Sequence, residues 1–204
     1  MPIVMPSSIS QPAPRPQLAP AKSRILETAN QLFYEEGIRS VGIDRLIGAS
    51  TVTKATFYKH YGSKDRLVTE YVYHRHRLAA EHVFALAAEH DDLESYMRAL
   101  LDGALHQVTE PGFRGCPFLK AASEFPDHTH PVRRAVELHR EWTNSFMAEL
   151  LREYGHPLPG EAADDLTLAL DGAMSGAYAG DPVAATTALT RAFERTLREA
   201  KSAA

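Results

Sequence analysis

The residues whose chemistry stands out lie between positions 51 and 64, in the stretch TVTKATFYKHYGSK. Lysine ammonium groups and the hydroxyls of threonine and tyrosine are side chains that hydrogen-bond to phosphate oxygens. Phe57 and Tyr61 are four residues apart, and Thr53 precedes them with an oxygen able to cap a helix. The pattern predicts a short helix that buries little and turns a basic face outward. That face comprises Lys54, Tyr58, Lys59 and His60.

Further helices must position this face. Apolar residues recur at helical spacing in residues 25–33, with Ser23 as the expected N-cap and Gly37 as the stop. Ile43, Leu46 and Ile47 share one face of a helix of about two turns, and Ser63 is expected to cap a fourth helix. Two short helices joined by a tight turn form a helix-turn-helix, whose second helix enters the major groove of DNA. The alternative is a solvated helix face that contacts nothing.

The net charge of −4 conceals an uneven distribution. Residues 21–67 hold eight Lys or Arg against five Asp or Glu, a net of +3, whereas residues 68–204 carry −8. A basic N-terminal module joined to an acidic body is expected when one end of a chain binds a polyanion and the other does not.

Residues 22–67 resemble the DNA-binding domain of the TetR family of bacterial one-component regulators. The core of that domain reads roughly F-x-x-x-G, followed by I-A-x-x-A-G-V-S-x-G-T-L-Y-x-H-F-x-x-K-x-x-L. The matching residues here are Phe33, Gly37, Leu46, Ala49, Val52, Thr53, Thr56, Phe57, Tyr58, His60, Tyr61, Lys64 and Leu67. The resemblance implies an all-α fold, with an N-terminal three-helix helix-turn-helix domain and a larger helical ligand-binding and dimerisation domain.

The same resemblance implies which residues contact DNA. Lys54 and Ala55 would lie nearest the bases. The full expected set is Thr51, Thr53, Lys54, Ala55, Thr56, Tyr58, Lys59, His60 and Lys64. Thr51 and Ala55 stand where the family usually has glycine, so we expect a slightly different turn and an altered operator preference. The Ala55 methyl is suited to contact a thymine methyl.

The remainder of the chain reads as helices separated by Pro or Gly. We expect a Pro-rich arm over residues 1–20, a DNA-binding domain over 21–67 and a ligand-binding and dimerisation domain over 68–204. Small residues recur closely in the last two helical segments, about 161–179 and 182–200. By the resemblance, these two segments form a homodimer interface. The alternative is a close helix pair within one chain.

The resemblance also implies a cavity for a small-molecule inducer, which we expect to be apolar or aromatic. Each candidate for its wall has the alternative of being ordinary core. The candidates are Tyr96, His106, Phe113, Cys116, Phe118, Trp142 and Phe146.

Cys116 suggests a second kind of regulation. The segment RGCPFLKAASEF resembles one in a subset of the family in which Gly-Cys begins a helix, and a thiolate beside Arg114 at that position would sense electrophiles or oxidants. The alternative is a small buried thiol, as free cysteine often is. A single cysteine excludes an internal disulfide and fits a cytoplasmic protein.

Other functional classes have less support. His74 and His76 are two residues apart and cannot share a metal on one helix face, and the loop residues Asp127, His128 and His130 are expected to be solvated. We therefore expect no metal and no cofactor. The sequence contains no G-x-S-x-G, P-loop, H-E-x-x-H or glycine-rich dinucleotide motif, which argues against an enzyme. It also lacks the pattern of a secretory signal or a membrane span.

The sequence as a whole predicts a homodimeric TetR-like regulator. By resemblance it would be a repressor that a small molecule releases from a palindromic operator. The alternatives are a helical protein-interaction adaptor and a redox-sensing regulator that uses Cys116.

Overall fold

The computed structural model describes residues 18–203, so the first seventeen residues of the predicted Pro-rich arm lie outside the described part. Residues 18–203 form nine helices and no strand, which confirms the predicted all-α class. The helices are α1 (Pro20–Glu36), α2 (Ile43–Ser50), α3 (Lys54–Tyr61), α4 (Lys64–Ala87), α5 (Leu93–Thr109), α6 (Pro117–Glu124), α7 (Pro131–Glu153), α8 (Pro159–Ala179) and α9 (Pro182–Ala203).

Several predicted helix ends are confirmed. Gly37 ends α1, and the main-chain N–H of Gly37 donates to the carbonyl of Phe33. The Thr53 side chain caps α3, and Ser63 Oγ accepts a hydrogen bond from the N–H of Arg66 at the start of α4. The predicted Ser23 cap is wrong. Pro20 is the first residue of α1, where its missing N–H leaves no donor unsatisfied, and the helix therefore begins four residues earlier than a cap at Ser23 predicts.

The described chain divides into two compact units. The first unit comprises residues 18–79 and 117–138. Its helices α1, α2 and α3 pack on one another around fully buried Ile25, Phe33 and Leu46. Residues 117–138, which hold α6 and the start of α7, therefore group with the helix-turn-helix although they lie far from it in sequence.

The second unit comprises residues 80–116 and 139–203. Helices α8 and α9 form its most extensive pairing, and α5 packs on both of them. The core of this unit is aliphatic and aromatic. Its fully buried members include Tyr96, Met97, Leu150, Leu151 and Leu197.

Candidate DNA interface and ligand cavity

The turn between α2 and α3 adopts a glycine-type conformation without a glycine. Thr51 has φ 52° and ψ 44°, and among residues 18–203 it is the only non-glycine residue with a positive φ. The N–H of Thr51 donates to the carbonyl of Gly48, and the N–H of Val52 donates to that of Ile47, each at 3.3 Å. This pair of bonds is the Schellman arrangement that commonly ends a helix. The turn therefore places a β-branched residue in the left-handed conformation that glycine adopts readily.

The start of α3 is fixed by threonine hydroxyls. Thr53 Oγ1 accepts a hydrogen bond of 3.1 Å from the N–H of Thr56 and lies 2.9 Å from Thr56 Oγ1. These contacts satisfy a main-chain donor that would otherwise have no partner within the helix. The Thr56 hydroxyl is thus engaged with the cap as well as lying on the expected DNA face.

The buried side of α3 consists of two aromatic rings. Phe57 is fully buried, and Tyr61 is 3% exposed. The Tyr61 hydroxyl donates to the carbonyl of Lys22 at 2.8 Å, and the Lys22 ammonium lies 5.5 Å from the centre of the Tyr61 ring. Burial raises the pKa of Tyr61, so this hydroxyl remains a donor. The buried side of α3 is therefore attached to the first turn of α1, and this attachment fixes the position of the outer face.

Most of the nine residues predicted to contact DNA are exposed together around the turn and α3. Thr56, His60 and Lys64 are half-buried. The Lys64 ammonium lies 6.0 Å from the centre of the Phe33 ring, and burial lowers the pKa of Lys64. The exposed members are Thr51, Thr53, Lys54, Ala55, Tyr58 and Lys59.

The second unit contains an apolar cavity of about 70 Å³. Its lining is aliphatic with a single aromatic ring, and none of the seven candidate ligand residues belongs to it. The lining residues are Met97, Leu100, Leu101, Ala104, Met147, Leu150, Leu166, Leu170, Leu189 and Phe193. Their i, i+4 repeats on α5, α8 and α9 are visible in the sequence, but such repeats indicate burial rather than a void.

Four aromatic candidates lie outside that lining, namely Tyr96, Phe118, Trp142 and Phe146. Tyr96 is fully buried and donates to the carbonyl of Val83 at 3.0 Å. The rings of Trp142 and Phe146 are stacked, with centroids 5.4 Å apart and an angle of 4° between their planes. Phe118 is buried in the unit that contains the helix-turn-helix.

The other candidates lie at or near a more open cavity of about 340 Å³. Phe113 belongs to its lining, whereas His106 is exposed and pairs with Glu110 at 2.9 Å. Cys116 is half-buried and follows Gly115, which has φ 83°. The lining comprises Val108, Thr109, Glu110, Gly112, Phe113, Arg114, Ala177, Tyr178 and Pro182.

A polar cluster that sequence reasoning missed joins α5, α9 and the residue that follows α7 in the second unit. Glu94 on α5 accepts hydrogen bonds from the Tyr154 hydroxyl at 2.7 Å and from Arg98 Nη2 at 2.9 Å, and it pairs with Lys201 at 2.9 Å. Arg98 also pairs with Glu194 on α9. Hydrogen bonds from Lys201, Tyr154 and Arg98 lower the pKa of Glu94 to about 2. Only the Glu94–Arg98 pair has the i, i+4 spacing that a sequence can reveal.

Comparison with known proteins gives matches over both units. Residues 25–71 match the family model described as bacterial regulatory proteins, tetR family, and residues 93–197 match the tetracyclin repressor-like C-terminal domain. The chain belongs to the TetR family.

Solved structures of TetR-family proteins share this fold. SCO4454, a TetR-family transcriptional regulator from Streptomyces coelicolor, is 37% identical, with a TM-score of 0.83 over 88% of this chain and 95% of that one. A putative TetR transcriptional regulator from Streptomyces avermitilis is 25% identical, with a TM-score of 0.77 over 90% of this chain and 99% of that one. The transcriptional regulator LmrA of Bacillus subtilis is 27% identical over 142 residues, which is 66% of this chain and 73% of LmrA.

Membership of the TetR family makes this chain a helix-turn-helix transcriptional regulator rather than an enzyme. It also disfavours the helical adaptor as the principal function. Within residues 18–203, every helix is too short or too polar to cross a bilayer. In the same part of the chain, no three His, Cys, Asp or Glu side chains come together in a group that could hold a metal ion.

Proposed function

We propose that this TetR-family protein is a homodimeric repressor that binds a palindromic operator and leaves it when a small apolar molecule binds the second unit. The observation that carries the proposal is the outer face of α3. This face exposes Thr53, Lys54, Tyr58 and Lys59. The opposite face of the helix is fixed by buried Phe57 and Tyr61. A rigid helix with a basic, hydroxyl-rich outer face is suited to the major groove.

The order of contacts on that face follows from the geometry of helix-turn-helix docking. The first residues of the recognition helix approach the base edges, so Lys54 and Ala55 would read the sequence. Lys59 and Tyr58 lie further along α3, where they would bind phosphates. Thr51 and Thr53 lie in the turn and at the helix N-terminus, where hydroxyls and main-chain N–H groups favour phosphate.

A dimer is supported by the outer face of α8. One side of that helix packs on α9 within the chain, where Ala173 is buried and an added Cβ at Gly176 would lie 3.8 Å from Ala185 Cβ. An adjoining side of α8 remains exposed, and Leu168 keeps 63% of its surface. Gly172 lies one turn after Leu168, with no atom within 4 Å of an added Cβ. An exposed leucine beside an open glycine allows a second helix to approach closely, and a twofold axis there would match a palindromic site.

The ligand is expected in the apolar cavity of the second unit. Its lining offers no charged group, so the favoured inducer is apolar. A volume of about 70 Å³ holds only a few heavy atoms, so a larger molecule would have to displace lining side chains. Met97 and Met147 contribute flexible thioethers that accommodate such movement. An inducer acts only if it binds the DNA-incompetent state more tightly than the DNA-bound state.

Two experiments test the proposal. Selection of genomic fragments by the purified full-length protein should enrich a palindromic sequence, and enrichment of no sequence by a folded dimer would contradict it. For the cavity, a small apolar probe such as benzene should raise the unfolding temperature of the parent but not that of Ala104→Leu, which fills the void. The matched variant Ala88→Leu, at an exposed position outside the lining, should be stabilised by benzene as the parent is.

A further inference from the structure

The last residue of α6 holds two consecutive main-chain amides that follow α1. Glu124 Oε1 accepts a hydrogen bond of 3.0 Å from the N–H of Ile38, and Glu124 Oε2 accepts one of 2.6 Å from the N–H of Arg39. The Arg39 side chain returns two bonds to the carbonyl oxygen of Glu124, from Nε at 3.0 Å and from Nη2 at 2.6 Å. We refer to these four hydrogen bonds as the Glu124 clasp. The clasp joins Glu124 to two residues of the same compact unit that lie 86 and 85 positions earlier in the sequence.

A second attachment lies one turn earlier on α6. The Lys120 ammonium donates to the carbonyl of Tyr34 at 2.8 Å and lies 5.3 Å from the centre of the Tyr34 ring. The Arg75 guanidinium of α4 lies 4.7 Å from the centre of the same ring. Tyr34 belongs to the last turn of α1, where carbonyl groups lack helical donors and a cation is favourable. Helix α6 therefore supplies a cation to the end of α1 and a carboxylate to the amides just beyond it.

The segment that Glu124 holds, residues 37–42, connects α1 to α2 and so determines where the helix-turn-helix begins. Gly37 ends α1 with φ 91°, and the chain then passes through buried Ile38 and Val41 before α2 starts at Ile43. Helix α2 leads through the Thr51 turn directly into α3. A displacement of Ile38 and Arg39 would therefore move the start of α2 and, with it, the recognition helix.

Glu124 can hold this segment more firmly than a neutral acceptor could. A carboxylate accepts two converging N–H bonds, one on each oxygen, and hydrogen bonds to charged groups are stronger than neutral ones. A glutamine at this position offers only one acceptor oxygen, and its NH₂ group would face an amide donor. In the orientation of the Glu124 side chain, a glutamine would therefore accept from one of the two main-chain donors and present its own donor to the other.

We propose that Glu124 is a positioning residue for DNA binding, whose clasp holds the segment between α1 and α2 in the arrangement in which α3 contacts the operator. This inference rests on the proposed function. Coupling between two sites is reciprocal, so a clasp that favours operator binding must itself be tightened by the operator. Amide exchange at Ile38 and Arg39 reports that tightening directly, because an amide exchanges when its hydrogen bond opens.

The test uses the full-length protein and the operator fragment that it selects. Operator affinity is measured by fluorescence anisotropy for the parent, for Glu124→Gln and for Glu137→Gln. Glu137 is a matched control, since it is a carboxylate of the same unit whose side chain pairs with Arg134 on the surface.

We expect Glu124→Gln to weaken operator binding roughly tenfold, within the range typical of coupled sites. Its salt dependence should be unchanged, because no phosphate contact is removed. Glu137→Gln should bind as the parent does.

Hydrogen exchange separates positioning from a merely structural role. In the parent, adding operator should slow exchange at Ile38 and Arg39, and in Glu124→Gln that slowing should be lost. If Glu124→Gln does not fold, Arg39→Met replaces it: this variant removes two of the four hydrogen bonds of the clasp, so operator affinity and the slowing of exchange at both amides should be reduced, and parent-like values of both would overturn the positioning role. Thermal unfolding of each variant is recorded alongside, so that a loss of affinity is not confused with a loss of fold.

The two proposals fail in different ways. If the parent selects no operator, the proposed function fails and the role of Glu124 fails with it. If the parent binds an operator but exchange at the two amides is the same with and without it, the clasp is only structural and the positioning role is overturned. Parent-like operator affinity in a folded Glu124→Gln protein would overturn it equally.

Discussion

The hydroxyl of Tyr61, in the last turn of the recognition helix, donates a 2.8 Å hydrogen bond to the main-chain carbonyl of Lys22, in the first turn of α1. The two residues are 39 positions apart in the sequence. This contact fixes the C-terminal end of α3 against the N-terminal end of α1. Both ends of α3 are thus hydrogen-bonded: the N-terminal end is capped by Thr53, and the C-terminal end is attached to α1 by Tyr61.

Tyr61→Phe should keep the buried ring and lose only this hydrogen bond. We expect the free energy of unfolding to fall by about 1 kcal/mol, a typical value for one hydrogen bond. Urea denaturation followed by circular dichroism measures the change. An unaltered midpoint would mean that the Tyr61 hydroxyl does not anchor α3.

Thr51→Gly should stabilise the protein, because a left-handed conformation costs an L-residue roughly 1–2 kcal/mol and costs glycine almost nothing. Part of that gain is offset by the greater chain entropy of glycine in the unfolded state, so we expect a net rise of about 0.5–1 kcal/mol. The matched control is Ala49→Gly, two residues earlier within α2, which should destabilise by about 1 kcal/mol. Loss of stability in Thr51→Gly would show that the turn does not hold Thr51 in strain.

Glu94→Gln should destabilise the second unit at neutral pH by about 1 kcal/mol, because the cluster with Lys201, Tyr154 and Arg98 loses its charge. The pKa of Glu94 lies at about 2 in the folded protein, below its ordinary value of 4.5. The stabilising contribution is therefore fully present above about pH 4.5 and is lost as the pH falls towards 2.

Denaturation of the parent and of Glu94→Gln from pH 7 to pH 2 measures this dependence. The difference between the two proteins should shrink across that acid range. The matched control is Glu141→Gln, an exposed position on α7. A difference that stays constant as the pH falls would show that the Glu94 charge is not the source of the stability.

Leu168→Glu should convert the dimer into a monomer, because it replaces the exposed leucine of the proposed interface with a charge. Sedimentation velocity measures the change, and operator affinity should fall with it because two half-sites can no longer be bound together. Leu138→Glu is the control, since Leu138 is a 41% exposed leucine of the other unit. A dimer that survives Leu168→Glu would place the interface elsewhere.

The helices around the DNA interface could be predicted because their signals are local. Thr53, Ser63 and Gly37 act on main-chain groups a few residues away, and the spacing of Phe57 and Tyr61 indicates which side of α3 is buried. Ser23 misled the prediction because Pro20 offers a competing start signal that equally suits a first helical turn.

The remaining features depend on contacts that no local pattern encodes. Glu124 is an ordinary glutamate at the end of a short helix, and only the folded chain brings it to Ile38 and Arg39. The small apolar cavity could not be predicted for a related reason, because its lining consists largely of aliphatic side chains whose periodicity resembles that of any core position.

The most direct test of the central claim, that the outer face of α3 binds DNA phosphates, is the salt dependence of operator binding by the parent and by Lys59→Ala. The logarithm of the parent's affinity should fall linearly with the logarithm of salt concentration, and Lys59→Ala should bind more weakly with a slope reduced by about 1. Arg152→Ala, which alters an exposed cation of the second unit, should match the parent in affinity and slope. Parent affinity that does not vary with salt, or Lys59→Ala with an unchanged affinity and slope, would contradict the account.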